Sequence, residues 1–499
     1  MSGKNGIVIP AASTRRVGVS VMALYVPRPR VSLEAWCQWT GNPWEKIKEV
    51  VGRSFRQPAR YENVYTMAAN AVLRLIEKND VDPGSVGFLA LGTESSKDNS
   101  AGAVIVRGMV DRALEQRGLP RLSRACEVPE FKHACLGGVY ALKGALRYVA
   151  GDGAGRRAIV VCGDVAEYER GSTGEQTQGA GSVALLVEEN AQLFEADLRH
   201  AGSASAYRGP DFRKPFARHF MGRTTEGTAR LHDFPVFSGK YSTFAYIDET
   251  LRAVEDMLQK LGKGGREFYR DVRAMFFHRP YHAMPLHAMS FLQVLSLAYG
   301  DGEALARLCK AAGVDVDTVL AEARSTPDLY GSLLEHSQPI EPYPAMSAAA
   351  TTLRKSPEFD ALTVAKMNLG ADLAMDLGNL YTAALPAWLA AGFTDALEQK
   401  LDLAGSLLLA VGYGSGDAAE AIPLRVAERW QEATARIGFR EALASPINLE
   451  QAQYEALHDG RDVPDLTFDP RGEFVISRVG EIHEAAFQDL GVEYYEYVA

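Results

Sequence analysis

His133-Ala134-Cys135-Leu136-Gly137-Gly138 runs directly into Val139-Tyr140-Ala141-Leu142-Lys143-Gly144-Ala145-Leu146-Arg147-Tyr148-Val149-Ala150. Apolar residues at 139, 142, 145, 146 and 149 recur at helical spacing. Cys135 is therefore expected beside a helix N-terminus, where unpaired backbone N–H groups and the positive end of the dipole favour a thiolate over a thiol. Two readings of this window stand side by side: an activated nucleophile, or an inert buried thiol in a close-packed helix. Glycines at 137, 138 and 144 each cost about 1 kcal/mol of helix stability relative to alanine, so the helix is expected to meet another backbone or a ligand at close range.

On either side the chain alternates strand and helix patterns. Upstream, Arg16 to Pro27 reads as a buried strand, 61–79 as a helix, Val86 to Thr93 as a strand with Glu94 at its end, and 101–117 as a second helix. Downstream, Ala158 to Asp164 is a strand, 171–181 a loop rich in Gly, Ser, Thr and Gln, and Ser182 to Val187 another strand. The order then recurs. Ala274 to Phe277 ends in His278, where the first half has Glu94; Ala371 to Leu377 runs into Gly378-Asn379 and an apolar helix, where the first half has Cys135; Ser406 to Gly416 answers 158–181.

The repeat predicts an α/β fold of two pseudo-duplicated halves, over 16–199 and 200–499, after a polar leader at 1–15. Ligands of α/β sheets sit at the carboxyl ends of strands, which places Glu94, Cys135, His278 and Asn379 at one site. Residues 200–235 read as a loop inserted over that site, 300–345 as added helices, and Gly472 to Val479 as a C-terminal edge strand.

A net charge of −10 argues against nucleic acid or an anionic membrane as the main partner. No run approaches the ~18 apolar residues of a membrane helix. Five cysteines without a C-x-x-C pair disfavour a disulfide framework and fit a reducing cytoplasm. His278-x3-His282-x4-His287 has the spacing of metal ligands, but Pro280 and Pro285 interrupt it and no carboxylate joins, so no metal is expected. Gly412 to Gly416 lacks the Lys-Ser/Thr of a phosphate loop. His133 reads as a packing residue, and Cys162 and Cys309 as small buried apolar groups.

A thiol, a carboxylate, an imidazole and an amide are the parts of a thioester-exchange site. Cys135 would accept an acyl group, splitting one transfer into two steps. Glu94, its pKa raised by burial, would take a proton from carbon. His278 and Asn379 would address one carbonyl oxygen, with a backbone N–H at Ser415 or Cys135 completing an oxyanion site.

Seven blocks extend this pattern: Gly92-Thr93-Glu94, Ala134-Cys135-Leu136-Gly137-Gly138, Gly163-Asp164-Val165-Ala166-Glu167-Tyr168, Gly174-Glu175-Gln176-Thr177-Gln178-Gly179-Ala180-Gly181, Phe277-His278-Arg279-Pro280-Tyr281, Gly378-Asn379-Leu380-Tyr381-Thr382 and Tyr413-Gly414-Ser415-Gly416. In this order they resemble the motif set of the hydroxymethylglutaryl-CoA synthase family, over roughly residues 16–485. The resemblance implies a thiolase-like five-layered αβαβα fold, usually homodimeric. It makes Cys135 the acetyl-carrying nucleophile and Glu94 the general acid/base, with His278 and Asn379 positioning the acetoacetyl group. Tyr168 and Ser172 would line the site, Asp164, Asp211 and Ser415 would support it, and Gly179 to Gly181 would form a close-packed turn.

The implied acyltransferase condenses an acetyl thioester with an acetoacetyl thioester and releases the product from Cys135 with water, without metal or redox cofactor. Its substrates would be acetyl-CoA and acetoacetyl-CoA, or acyl carrier proteins bearing the same groups on phosphopantetheine. A lysine associated with holding CoA in the metabolic enzymes is here Ala283, and homologues working on carrier proteins in polyketide β-branching often have glycine there. The Arg-rich stretches 208–223 and 263–273 suit either CoA phosphates or an acidic carrier. Other condensing enzymes of this fold lack the strand-end Glu, and a silent interaction subunit would not need all four reactive positions.

Overall fold

A computed structural model describes residues 16–214, 234–236, 238–463 and 466–499. The leader at 1–15 and residues 215–233 of the expected inserted loop lie outside the described residues. The first half supplies β1 (Val17–Tyr25), α1 (Val64–Lys78), β2 (Val86–Gly92), α2 (Gly102–Gln116), β3 (Glu130–Phe131), α3 (Gly137–Ala150), β4 (Arg157–Ala166) and β5 (Gly179–Glu189). Then follow β6 (Phe194–Ala196), β7 (Gly202–Ser205), α4 (Lys240–Leu261), β8 (Ala274–Phe277), α5 (Met284–Gly300), α6 (Gly302–Ala312), α7 (Val316–Arg324), α8 (Leu329–His336), α9 (Ala384–Glu398), β9 (Leu407–Gly414) and β10 (Ala418–Val426).

The duplication is visible in the pairing. β2 runs parallel to β4, β4 antiparallel to β5, and β5 antiparallel to β1. In the second set β8 runs parallel to β9, β9 antiparallel to β10, and β10 antiparallel to β7. Short β6 pairs with both β1 and β10, so one ten-stranded sheet joins the two sets, along the path β8-β9-β10-β6-β1-β5-β4-β2-β3 with β7 off it beside β10. The inner strands are near-continuous runs of Val, Leu, Ile and Ala because helices cover both their faces. Each such side chain taken from water contributes about 1.5–3 kcal/mol.

Helix α3 is the middle layer. On one side it meets β2 and β4: a Cβ on Gly92 would lie 2.5 Å from the Gly138 Cα. On the other, Val139 and Leu136 pack on Gly412 and Gly414 of β9. The helix's own glycines are needed for the same close approach: a Cβ on Gly138 would lie 2.7 Å from Cys162 of β4 and 2.8 Å from the Thr382 carbonyl of the second half, so a side chain there would part the halves at the site. α9 packs on β8 and β9 from the same layer, while α1 covers β1, β4 and β5, and α4 covers β7, β9 and β10 from outside. The result is the thiolase-like αβαβα order. α1 starts at a capping box in which Asn63 and Thr66 satisfy each other's backbone N–H.

Two expectations need correction. Gly179 to Gly181 do not form a turn; they begin β5, where Gly179 bridges to Gly378 and its missing side chain admits the Asn379 backbone. Glu473–Val479 is not an edge of the main sheet but pairs with Glu493–Val498 in a separate two-stranded sheet, because the tyrosine-bearing tail is itself a strand. The 300–345 region contains α6, α7 and α8.

Candidate active site

Cys135 lies just outside α3, whose N-cap is Leu136. Ala134 takes a left-handed φ of 40°, a strained turn for a residue with a side chain, and the Leu136 N–H closes it on the His133 carbonyl at 2.9 Å. This turn aims the thiol at the end of β2, where Cys135 Sγ stands 3.8 Å from Glu94 Oε2. The expected thiolate is not found. Burial, then the neighbouring Glu94 and Asp164 carboxyls, push the thiol well above its ordinary range, outweighing the helix dipole.

Glu94 is pushed up to about 7, first by burial and then by Asp164, while Lys214, Cys135 and Lys132 draw it back. The pair is thus a protonated thiol beside a carboxyl poised near neutrality, the state required of a general base.

Asp164 holds that arrangement from behind. One of its oxygens accepts the Thr93 and Ser95 hydroxyls at 2.8 and 2.7 Å and the Glu94 and Ser95 N–H groups at 2.8 and 3.0 Å. The other accepts the Thr382 N–H at 3.0 Å and the Thr382 hydroxyl. A fully buried carboxylate on β4 therefore ties the Glu94 loop of one half to the start of the α9 segment of the other. Burial still holds its pKa above the ordinary value, against these hydrogen bonds.

A cavity of about 160 Å³ opens in front of the thiol, lined among others by Cys135, Tyr168, His278, Asn379 and Ser415. His278 follows β8, donates its backbone N–H to Val411 at 2.6 Å, and accepts the Tyr246 hydroxyl at 2.8 Å on its carbonyl. Its ring stacks on Tyr413, and burial pushes it down to about 3, so it meets a substrate as neutral imidazole. Asn379 is fixed by backbone bonds to Thr177 and Gln178, and its side-chain oxygen accepts the Tyr381 N–H at 2.9 Å. The amide NH2 is then the group it offers to a ligand oxygen. Tyr168, Tyr381 and Phe212 meet edge to face around Cys135 and form a dry wall.

Not every expected residue reaches the cavity. Ser172 is absent from its lining and its buried hydroxyl has no hydrogen-bond partner among the described residues; Thr173 and Thr177 line it instead. Asp211 stands one residue back, accepting the Ser242 hydroxyl at 2.5 Å, and Ser242 lines the cavity. Thr177, Ser242, Phe212, Tyr246 and Tyr281 are lining residues that sequence reasoning did not single out. Thr177 and Tyr281 lay inside quoted motif blocks, whereas Ser242 and Tyr246, on α4, carried no local signal.

Of the Arg-rich stretch 208–223, Arg208 is buried against Asp248, Glu249 and Asp417, so it has no free charge for a phosphate or carrier; residues 215–223 lie outside the described ones. In 263–273, Arg266 pairs with Asp301 and Arg270 with Asp271. Ala283 donates its N–H to Val50 at 3.0 Å, which stitches its segment to the cavity mouth. His282 lies 2.7 Å from Arg279 and His287 packs on Phe291, so these two do not converge with His278. His133 packs edge-on against Tyr140, and Cys162 and Cys309 are fully buried.

Residues 13–192 match the family model described as the N-terminal part of hydroxymethylglutaryl-coenzyme A synthase. The chain is 25% identical to the hydroxymethylglutaryl-CoA synthase of Haloferax volcanii, over 95% of this chain and 99% of the relative. It is 29% identical to hydroxymethylglutaryl-CoA synthase A of Dictyostelium discoideum, over 87% and 80%. A solved structure of MvaS in complex with 3-hydroxy-3-methylglutaryl coenzyme A superposes with a TM-score of 0.74 at 26% identity, covering 97% of this chain and all of the other. The hydroxymethylglutaryl synthase of the curacin pathway, solved with its acetyl donor carrier protein, shares the fold with a TM-score of 0.68 at 18% identity, over 97% of this chain and all of the other.

Proposed function

The chain belongs to the hydroxymethylglutaryl-CoA synthase family, and from that membership we propose that it condenses an acetyl thioester with an acetoacetyl thioester through an acetyl-Cys135 intermediate. The observation that carries the reading is the 3.8 Å pair of Cys135 and Glu94, with the thiol lining a cavity that His278 and Asn379 also line. Cys135 sulfur attacks the acetyl carbonyl, the carbonyl–sulfur bond to the donor breaks, and the thiol proton leaves with the donor thiol. Glu94 takes a proton from the bound methyl group; the enolate carbon bonds to the ketone carbon of the acceptor, and Glu94 returns the proton to the resulting alkoxide. Water then cleaves the thioester to Cys135. Neutral His278 donates one ring N–H and Asn379 its amide N–H to the oxygens that gain charge. The balance closes with acid–base and thioester chemistry, without metal or redox cofactor, and the proposal includes a homodimer working in a reducing cytoplasm.

Glu94→Ala is the direct test: Cys135 still gains an acetyl group by intact mass, while condensation falls by roughly 10²–10⁴-fold. Normal condensation by that variant would make the assignment wrong.

Free CoA thioesters are the first substrate reading, in line with the names of the curated relatives. Ala283 in place of the CoA-associated lysine favours carrier-bound substrates as a second. Matched acetyl-CoA and acetyl-carrier donors separate them: a strong preference for the protein-bound donor selects the second.

A further inference from the structure

Glu94 has two oxygens with different neighbours. Oε2 faces the Cys135 thiol at 3.8 Å; Oε1 faces Lys214 Nζ, also at 3.8 Å. Lys214 follows Asp211 and Phe212, and Phe212 touches the aromatic wall around Cys135. The ammonium is thus delivered to Glu94 by the same segment that closes the site. We propose that Lys214 is a positioning residue for the condensation: it is the counter-charge that holds Glu94 ionised and keeps its other oxygen turned to the acyl group on Cys135. The inference rests on the general-base reading of Glu94.

The other described groups around Glu94 do not supply this. Asp164, from β4, is a like charge that disfavours the anion. Lys132, beyond β3, contributes more weakly than Lys214, and its ammonium is held by the Ser96 carbonyl at 2.5 Å and the Ser96 hydroxyl at 3.1 Å. Cys135, Tyr168 and Tyr381 are un-ionised neighbours, each pushed up by burial. Lys214 keeps 47% of its side chain exposed while the Glu94 side chain is 9% exposed. Solvent screens such a pair, so the effect is modest, and removing the lysine does not strip a buried charge from the core.

The experiment follows exchange of the acetyl methyl protons with deuterated solvent in the acetyl-enzyme, and condensation, across pH. In the parent protein both lose rate as pH falls through the Glu94 pKa. Lys214→Met and Lys214→Gln move that acid limb upward by about one pH unit, and Lys214→Arg restores it. A merely structural lysine would lower the rate equally at every pH. An unmoved limb in both neutral variants, with exchange still abolished by Glu94→Ala, overturns the role of Lys214 alone. Exchange that survives Glu94→Ala overturns the general-base reading beneath it.

Discussion

The two halves repeat one pairing scheme, yet they put opposite chemistry at matching strand ends. Past Gly92 on β2 the first half carries a carboxyl pushed up to about 7, and before α3 a thiol; both change charge or covalent state during the proposed reaction. Past Phe277 on β8 the second half carries an imidazole that burial pushes down to about 3, and before α9 an amide; neither gains nor loses a proton. The lesson is a division of labour: one half performs bond making and proton transfer, and its copy supplies fixed hydrogen-bond donors. The register explains why they meet, since Gly92 pairs with Cys162 and Phe277 with Val411 in equivalent parallel contacts, and α3 lies between them.

The largest expected effect removes the reactive half's thiol. Cys135→Ala abolishes the acetyl-enzyme by intact mass and condensation with it; retained acetylation would mean that another nucleophile carries the acyl group. Next comes the tie between the halves. Asp164→Ala leaves three hydroxyls and three backbone N–H groups without their acceptor and costs about 3–5 kcal/mol, read in a denaturant melt, with partial recovery in Asp164→Asn.

The smallest separates the donor half from the titrating one. His278→Gln and Asn379→Ala each lower condensation by about 10²–10³-fold while Cys135 is still acetylated. The sign of the pH dependence is set by Glu94. Its base form prevails above about 7, so the rate falls as pH drops through that value, and His278, neutral there, adds no step. An acid limb that disappears in His278→Gln would show that the imidazole titrates and would erase the distinction between the halves.

The strand and helix order was legible in the sequence because buried strands in a doubly covered sheet are long apolar runs, and Val86–Gly92 and Arg157–Ala166 appear where they were expected. Cys135, Glu94, His278 and Asn379 were legible because strand ends and helix starts are local features. Ser172 is off the cavity lining because, in this short loop, its hydroxyl turns into the protein while its exposed neighbour Thr173 borders the cavity. Ser242 carried no signal, and Lys214, inside the basic stretch 208–223, gave no sign of Glu94, because nothing in a segment records what stands across from it.

By itself the sequence determined the doubled α/β order, the residues able to do chemistry and their positions along each half, since propensity, periodicity and residue type are properties of short segments. Only the tertiary structure decided the protonation states: the thiol that its helix would ionise stays protonated, and the carboxyl stands near neutrality. Those follow from desolvation and from charges at Asp164 and Lys214, far along the chain from Glu94, and such fields depend on distance in space. The Cys135 helix began as a thiol with unexplained glycines; in the fold those glycines let both halves close on it.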